Sequence, residues 1–351
     1  MTNDLMLLRE LGEDRGPGAG APPADLRRRV LTGAPRRHRP AVWRLAGLGA
    51  AAVAVALAGS QALNTPAPVV PDPPSTGAVA AKPEAAVVLR LAAQHVTAAP
   101  APTGRADQFV FVAYVQAGIR IHNQGRDDAG HRVVRVTPAP PRSVEEWRSV
   151  DGKHDGVSRS REYSSSQEWV RVPVPGCRNG RWAPTLDRPG HTESCTPQPA
   201  SRPDLPTDPA AMRRYLYRAE AGSEGFGGNV PADQRAFRRA TEVLRVSLLR
   251  PQVQAAVFEA VSTVPGTTVR TGARDVTGRP GVAVTRVAEG IRDELLFDPS
   301  SYAYLGANST VVTATALSSA DLRVTGLRPG DAIAREAILS AAVADTAGRR
   351  P

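Results

Sequence analysis

The residues able to do chemistry are few, and their spacing works against it. Two adjacent carboxylate pairs, Asp293–Glu294 and Glu145–Glu146, fall in stretches that read as strands. Neighbours on a strand point to opposite faces, so neither pair makes an acid–base dyad. His95, His122, His131, His154 and His191 never fall at metal-binding spacings. Only His122 and His131 could converge, across neighbouring strands, and surface histidines explain them better. Gly222–Gly228 (GSEGFGG) follows a helix rather than a strand, so it reads as a loop and not as a phosphate cradle. Ser164–Ser166 has no Lys three residues on to activate a hydroxyl. Cys177 and Cys195, with His191 between them, lack the paired spacings of a zinc site. There is no G-x-S-x-G, H-E-x-x-H, P-loop or dinucleotide fingerprint. The expectation is a protein that is not an enzyme and takes no cofactor and no metal.

What must position these residues is a chain of 351 residues, 41% hydrophobic and 22% charged, the balance of a globular protein. Aromatics make up only 5%, so any core leans on Val, Leu and Ala. The net charge of +10 and a pI near 10.5 suggest nucleic acid at first sight. The excess is almost all Arg, however, since Lys82 and Lys153 are the only lysines, and the arginines form no basic stripe interleaved with aromatics. A nucleic-acid partner is therefore not expected.

The charges are distributed along the chain as a membrane topology would distribute them. Trp43–Leu63 (WRLAGLGAAAVAVALAGSQAL) carries no charge from Leu45 onward, and about 20 mostly apolar residues suffice to cross a bilayer as a helix. Leu26–Arg44 holds seven Arg and no acid, whereas no Lys or Arg follows Leu63 until Lys82. Cationic flanks stay in the cytoplasm. The expected domains are a short Arg-rich cytoplasmic tail (1–42), a transmembrane helix (43–63), a Pro-rich linker (64–82) and an extracytoplasmic domain (83–351). The expected location is the cell membrane. The tail reads as a disordered stop-transfer segment, with a small docking helix around Leu5–Leu11 for a cytoplasmic partner as the alternative. A cleaved signal peptide is the rival to the anchor, but some 44 residues precede the apolar core where about 15–30 is the usual full length. Outside the membrane, Cys177 and Cys195 are expected to be oxidised together, closing a loop of about 19 residues; two free thiols are the alternative.

In the outer domain, Pro83–Ala99 reads as a helix with Val88, Leu89, Ala92 and Val96 on one face. Gln108–Gln116 (QFVFVAYVQ) is apolar on both faces and belongs in the middle of a sheet. His131–Thr137, Glu145–Val150 and Glu168–Val172 read as further strands, with a turn at Asp151-Gly152. Asp208–Ala221 is a helix capped by Asp208 with Pro209 at its first position. Pro231–Leu249 and Gln252–Thr263 are helices separated by Arg250-Pro251. After Thr267 come strands Thr268–Val276, Val282–Val287, Arg292–Phe297, Tyr302–Leu305 and Ser309–Ala316, whose short links imply an antiparallel meander. Ala332–Asp345 is ambiguous between helix and strand.

Seven segments carry a resemblance that runs from end to end of the chain: MLLREL, DQFVFVAY, WRSVDG, LPTDPAAMRRYL, DVTGRPGVAV, ELLFDPSSYAYLG and DTAGRRP. The chain resembles an actinobacterial family of single-pass membrane proteins with a short Arg-rich inner tail and no assigned reaction. The family's outer domain resembles the lipoprotein-carrier fold. The resemblance implies an α+β domain in which an antiparallel, curved half-barrel sheet packs with helices and leaves an apolar groove. It also favours a strand at Ile338–Asp345. Met212, Leu216, Phe237, Leu244 and Val257, on the inward faces of the helices, are the candidate groove residues. The expected partners are the membrane, through one span, and a lipid or an envelope protein. The reading is a non-enzymatic membrane protein whose outer domain binds an apolar ligand or an envelope partner. The alternative is an anti-sigma-like regulator that relays an outside signal to a partner of the inner tail, although the tail lacks the His-x-x-x-Cys-x-x-Cys signature. A hydrolase is disfavoured by the missing motifs.

Overall fold

The computed structural model describes residues 83–182, 193–218, 230–245, 248–313, 318 and 321–351. The Arg-rich tail, the apolar stretch Trp43–Leu63, the linker, Gly222–Gly228 and His191 lie outside these. Among the described residues no helix is long and apolar enough to cross a membrane. The architecture is α+β: one large antiparallel sheet, two small ones and, among the described residues, four helices.

The large sheet has nine strands in the order β6-β5-β4-β1-β14-β12-β11-β10-β9. Its first part comprises β1 (Phe109–Ala117), β4 (Arg142–Ser149), β5 (Gly156–Glu162) and β6 (Val170–Val174). Its second part is the meander β9 (Thr268–Arg274), β10 (Pro280–Ala288), β11 (Ile291–Phe297) and β12 (Tyr304–Val311). Between them lies β14 (Ala332–Ala344), hydrogen-bonded to β1 on one side and to β12 on the other. The sheet is open, with β6 and β9 as its edges. β1 is interior, as its two-sided apolar pattern requires, since it pairs with both β4 and β14. The terminal stretch is one continuous strand, and the two strands read separately around Tyr302–Ala316 join into β12. β12 comes so close to β14 at Gly306 that a Cβ there would lie 2.0 Å from the Glu336 carbonyl oxygen. Only glycine fits, and its φ of +143° is also glycine's own.

A smaller sheet, β13-β3-β2, joins β13 (Leu322–Thr325) in parallel to β3 (Arg132–Pro138), which pairs antiparallel with β2 (Ile119–Arg126). Its Val134, Val136 and Val324 pack on Ile291 and Val311 of the large sheet. β7 (Cys177–Arg178) and β8 (Arg181–Trp182) form a short hairpin. β2, β5, β7, β8 and β13 have too little apolar alternation to stand out in the sequence.

Four helices cover the second half of one sheet face: α1 (Pro83–Thr97), α2 (Pro209–Tyr217), α3 (Ala232–Arg245) and α4 (Pro251–Ser262). The caps act as their residue types require. Asp208 Oδ1 accepts the Ala211 N–H at 2.8 Å with Pro209 at the first position of α2, and Pro251 opens α4. Leu89, Met212, Leu216, Phe237, Leu244, Val257 and Phe258 bury against Val284, Leu295 and Phe297 in the largest apolar cluster. On the same face of the first half, Val110, Val112, Tyr114 and Val144 form a second cluster with Ala200. The opposite face is closed around Trp147, Phe109 and Phe111. There the Trp147 Nε1–H donates to the Arg349 carbonyl at 2.6 Å, and Arg350 Nε donates to Glu145 at 2.9 Å, so residues 349 and 350 are clasped to the sheet.

Cys177 and Cys195 are joined by a disulfide. In the chain-entropy account a loop of this length contributes about 3 kcal/mol. Reduction, or Cys177→Ser with Cys195→Ser, is expected to lower the unfolding free energy by about that amount, read from chemical denaturation. Mass analysis of the unreduced chain should show the two peptides linked. Free, alkylatable thiols in protein taken directly from the cell would contradict the bridge.

Candidate functional site

The carboxylates that drew attention in the sequence turn out to be tied down by neighbours. Asp293 faces the helices, where Gln234 Nε2 and Ser309 Oγ donate to it and Arg238 Nε reaches it at 2.7 Å. Glu294, on the opposite face, takes Arg270 through two bonds of 2.8 and 3.0 Å and Asn308 Nδ2 at 3.2 Å. Glu145 accepts from Arg159 at 2.8 Å and from Arg350. Burial alone would push Glu145 up, but the hydrogen bonds from Arg350 and Arg159 outweigh it and hold the carboxyl below the usual range. The two members of each adjacent pair point to opposite faces, as alternation requires. Asp293, Glu294 and Glu145 are each held by several donors of the chain itself, and Glu146 accepts from the Tyr114 hydroxyl.

The histidines are likewise dispersed. His122 lies opposite Arg135 in the β2–β3 register and contacts Thr137 Oγ1 at 3.3 Å. His131 is held by Asp127 at 3.1 Å. Strand pairing does not bring them together. Among the described residues no three of His, Cys, Asp and Glu are grouped to hold a metal ion.

Met212, Leu216, Phe237, Leu244 and Val257, the candidate groove residues, do meet. All five lie in the helix–sheet cluster, each at most 4% exposed. At the border between this cluster and the one built on β1 sits a polar group that the sequence did not single out. Glu336 of β14 points to the helix side, because it is paired with Ala307, which is paired with Leu295 of the helix-facing core. It is only 7% exposed. Its Oε2 lies 3.2 Å from Nε of Arg245, the last residue of α3. Its Oε1 is buried with no hydrogen-bond partner, and so is the hydroxyl of Tyr304 on β12. The Tyr304 ring stacks near Phe297 and Phe258, with centroids 5.9 and 6.2 Å away, so the hydroxyl is presented from an apolar wall. On the other flank the Tyr114 hydroxyl donates to Glu146 Oε1 at 3.0 Å.

The electrostatics follow from this placement. Burial pushes the Glu336 carboxyl up from the usual 4.5 to about 7, against the pull of Arg245. Burial also lifts the Tyr304 hydroxyl, and Glu336 adds to that. Tyr114 is raised by burial and by Glu146. The cluster therefore holds a buried carboxylate beside one guanidinium, with a half-buried second acid, Glu146, on its flank and two buried polar atoms unsatisfied. Buried polar atoms are normally paired with protein or water, and an unpaired one costs about 1–3 kcal/mol.

Five elements supply this site: β1, β4, β12, β14 and α3. Its one sequence signal is Glu336 itself, an acid that with Arg335 and Ser340 interrupts the otherwise apolar run Ala332–Ala344. No family model matches the chain, and no curated protein matches it significantly.

Glu336 makes stability depend on pH in a definite direction. A carboxyl whose folded value lies above its unfolded value binds its proton more tightly in the folded chain. Its contribution is complete below about 4.5 and is lost as pH rises through about 7. The groups facing it are Arg245 from α3, Glu146 from β4, Tyr114 from β1 and Tyr304 from β12. Glu336→Gln is expected to match the parent near pH 5 and to exceed it near pH 8.5 by on the order of 2–3 kcal/mol, read from denaturation at both pH values. A stability difference independent of pH would show that Glu336 does not titrate in this window.

Proposed function

We propose that this is a non-enzymatic, membrane-anchored protein whose outer domain holds an apolar ligand between helices and sheet. The Arg-rich tail (1–42) lies in the cytoplasm in this reading, Trp43–Leu63 spans the membrane, and the open antiparallel sheet acts as a curved half-barrel. The observation that carries it is the composition of the helix–sheet interface. The four helices of the described residues rest on one half of one face of an open sheet, and their contact is built from Val, Leu, Ala and Phe. At its border stand the unpartnered Glu336 and Tyr304 atoms. Concave apolar surfaces with a few convergent polar groups are the usual form of a ligand site. The end-to-end resemblance to single-pass proteins with a carrier-like outer domain agrees with it, as does the saturation of Asp293, Glu294 and Glu145, which leaves those carboxylates without a catalytic vacancy. The partner is a lipid or the apolar part of an envelope protein.

The full chain purified in mild detergent is expected to retain lipid at a fixed stoichiometry when examined by native mass spectrometry, and Leu216→Arg or Leu244→Arg is expected to abolish this or unfold the domain. A protein that stays lipid-free and still folds would leave a partner-binding scaffold, with the inner tail as the place to look for a regulator. A reporter active only outside the cytoplasm, fused after Pro351, should be active; activity from a cytoplasmic reporter alone would reverse the topology.

A further inference from the structure

We propose that Glu336 and Tyr304 form a head-group site for one amphiphile whose polar end donates a hydrogen bond and carries no negative charge. The inference rests on the carrier reading and adds the chemical class of the ligand. Three observations lead to it. First, the free valences are specific. Glu336 Oε1 can only accept when ionised, while the Tyr304 hydroxyl can donate or accept. An alcohol or an amine suits both kinds of valence, since it can offer a hydrogen to the carboxylate and has further capacity for the phenol.

Second, the local charge discriminates. Among the described residues Arg245 is the cation paired with Glu336, at 3.2 Å, and Glu146 lies on the far flank, bonded by Tyr114 at 3.0 Å. A carboxylate or phosphate entering here meets two acids and a guanidinium already engaged. In a desolvated site such like-charge contact is costly. An uncharged head meets no such opposition, and for a cationic head the attraction of the two acids opposes the repulsion of the one guanidinium.

Third, the chain satisfies its other buried carboxylates from its own residues. Asp293, Glu294, Glu145 and Asp275 each receive an Arg together with at least one further donor. Among the buried carboxylates of the described residues, only Glu336 has an oxygen left over, and it lies where the helix-covered cluster meets the cluster of Val110, Val112, Tyr114 and Val144. An acyl chain along this apolar border would bring its head to that oxygen. A trapped water would satisfy the same atoms and is the rival occupant.

The test uses the full chain in mild detergent and three probes of equal chain length: oleylamine, monooleoylglycerol and oleate. Native mass spectrometry near pH 8 reads the one-to-one adducts. The amine and the glyceride are expected to occupy the protein at least tenfold more than oleate. Tyr304→Phe should reduce the glyceride adduct severalfold. Glu336→Gln should collapse the amine-to-oleate ratio by about tenfold, since it removes the charge and keeps the shape. Far-ultraviolet circular dichroism checks that both variants are folded. Should a variant unfold, the ranking of the three probes on the parent chain still decides. Equal occupancy by oleate, or a ratio unchanged in Glu336→Gln, overturns the head-group assignment and leaves the carrier reading standing. No saturable adduct of any probe, on a folded chain, overturns the carrier reading and this assignment with it, in favour of water at the site.

Discussion

The structure depends on the insertion of one strand. β14 supplies the backbone donors and acceptors that β1 and β12 would otherwise leave open, and it alone joins the two halves of the large sheet. A buried backbone group without a partner is expensive, so both registers must be met at once. A one-residue slip would turn Ala337 and Glu336 to the wrong faces. Small side chains make the double fit possible. Ala337 and Ala344 are buried on the face turned away from the helices, and Gly306 lets β12 approach. The same insertion carries Glu336 into the helix-facing core, so the site and the closure of the sheet have one cause.

Around that strand the buried charges are arranged by a common rule with one departure. The buried carboxylates Asp293, Glu294, Glu145 and Asp275 each have a guanidinium within reach and at least one further donor. Asp293 uses this to fasten α3 to β11 and β12, through Gln234, Arg238 and Ser309. Arg286 extends the seam, donating to Gln234 and, at 3.0 Å, to the Pro265 carbonyl. Such seams add little net stability against an apolar isostere, but they fix where the helix sits. Glu336 shares the guanidinium of the same helix's last residue and stops short of saturation. A polar group that the fold leaves half-paired marks the place where something other than the fold decides.

Much of the scaffold was legible in the sequence because its signals are local. β1 announced itself through Phe109, Val110, Phe111, Val112 and Tyr114, residues that fit a pleated, buried surface. α2 was set by Asp208-Pro209, and the inward residues of α2 and α4 by helical spacing, while Pro251, read as the break before α4, is its first residue. The meander followed from its short links. β14 was not legible, because Ala332–Ala344 is rich in a residue that favours helix, and pairing on both sides overrode the preference. β2 was hidden by its polar run Ile119–Arg126, and β13 by its length. The Glu336 site was invisible for a different reason. Tyr114, Glu146, Arg245, Tyr304 and Glu336 are scattered along the chain, and only strand order brings them together.

The choice of arginine has a consequence for handling the molecule. The ion pairs on Glu145, Asp275, Asp293, Glu294 and Glu336 all use guanidinium groups, which keep their charge at any attainable pH. Among the described residues no lysine takes part in them. Lys82 and Lys153 are the only lysines of the chain, and Lys153 stands exposed in the turn after β4. Reagents that acylate primary amines therefore pass over the charges that hold the sheet and helices together. Within residues 83–351 they meet a single side chain, which makes this a domain that can be tethered or labelled at one known point with its internal electrostatics untouched.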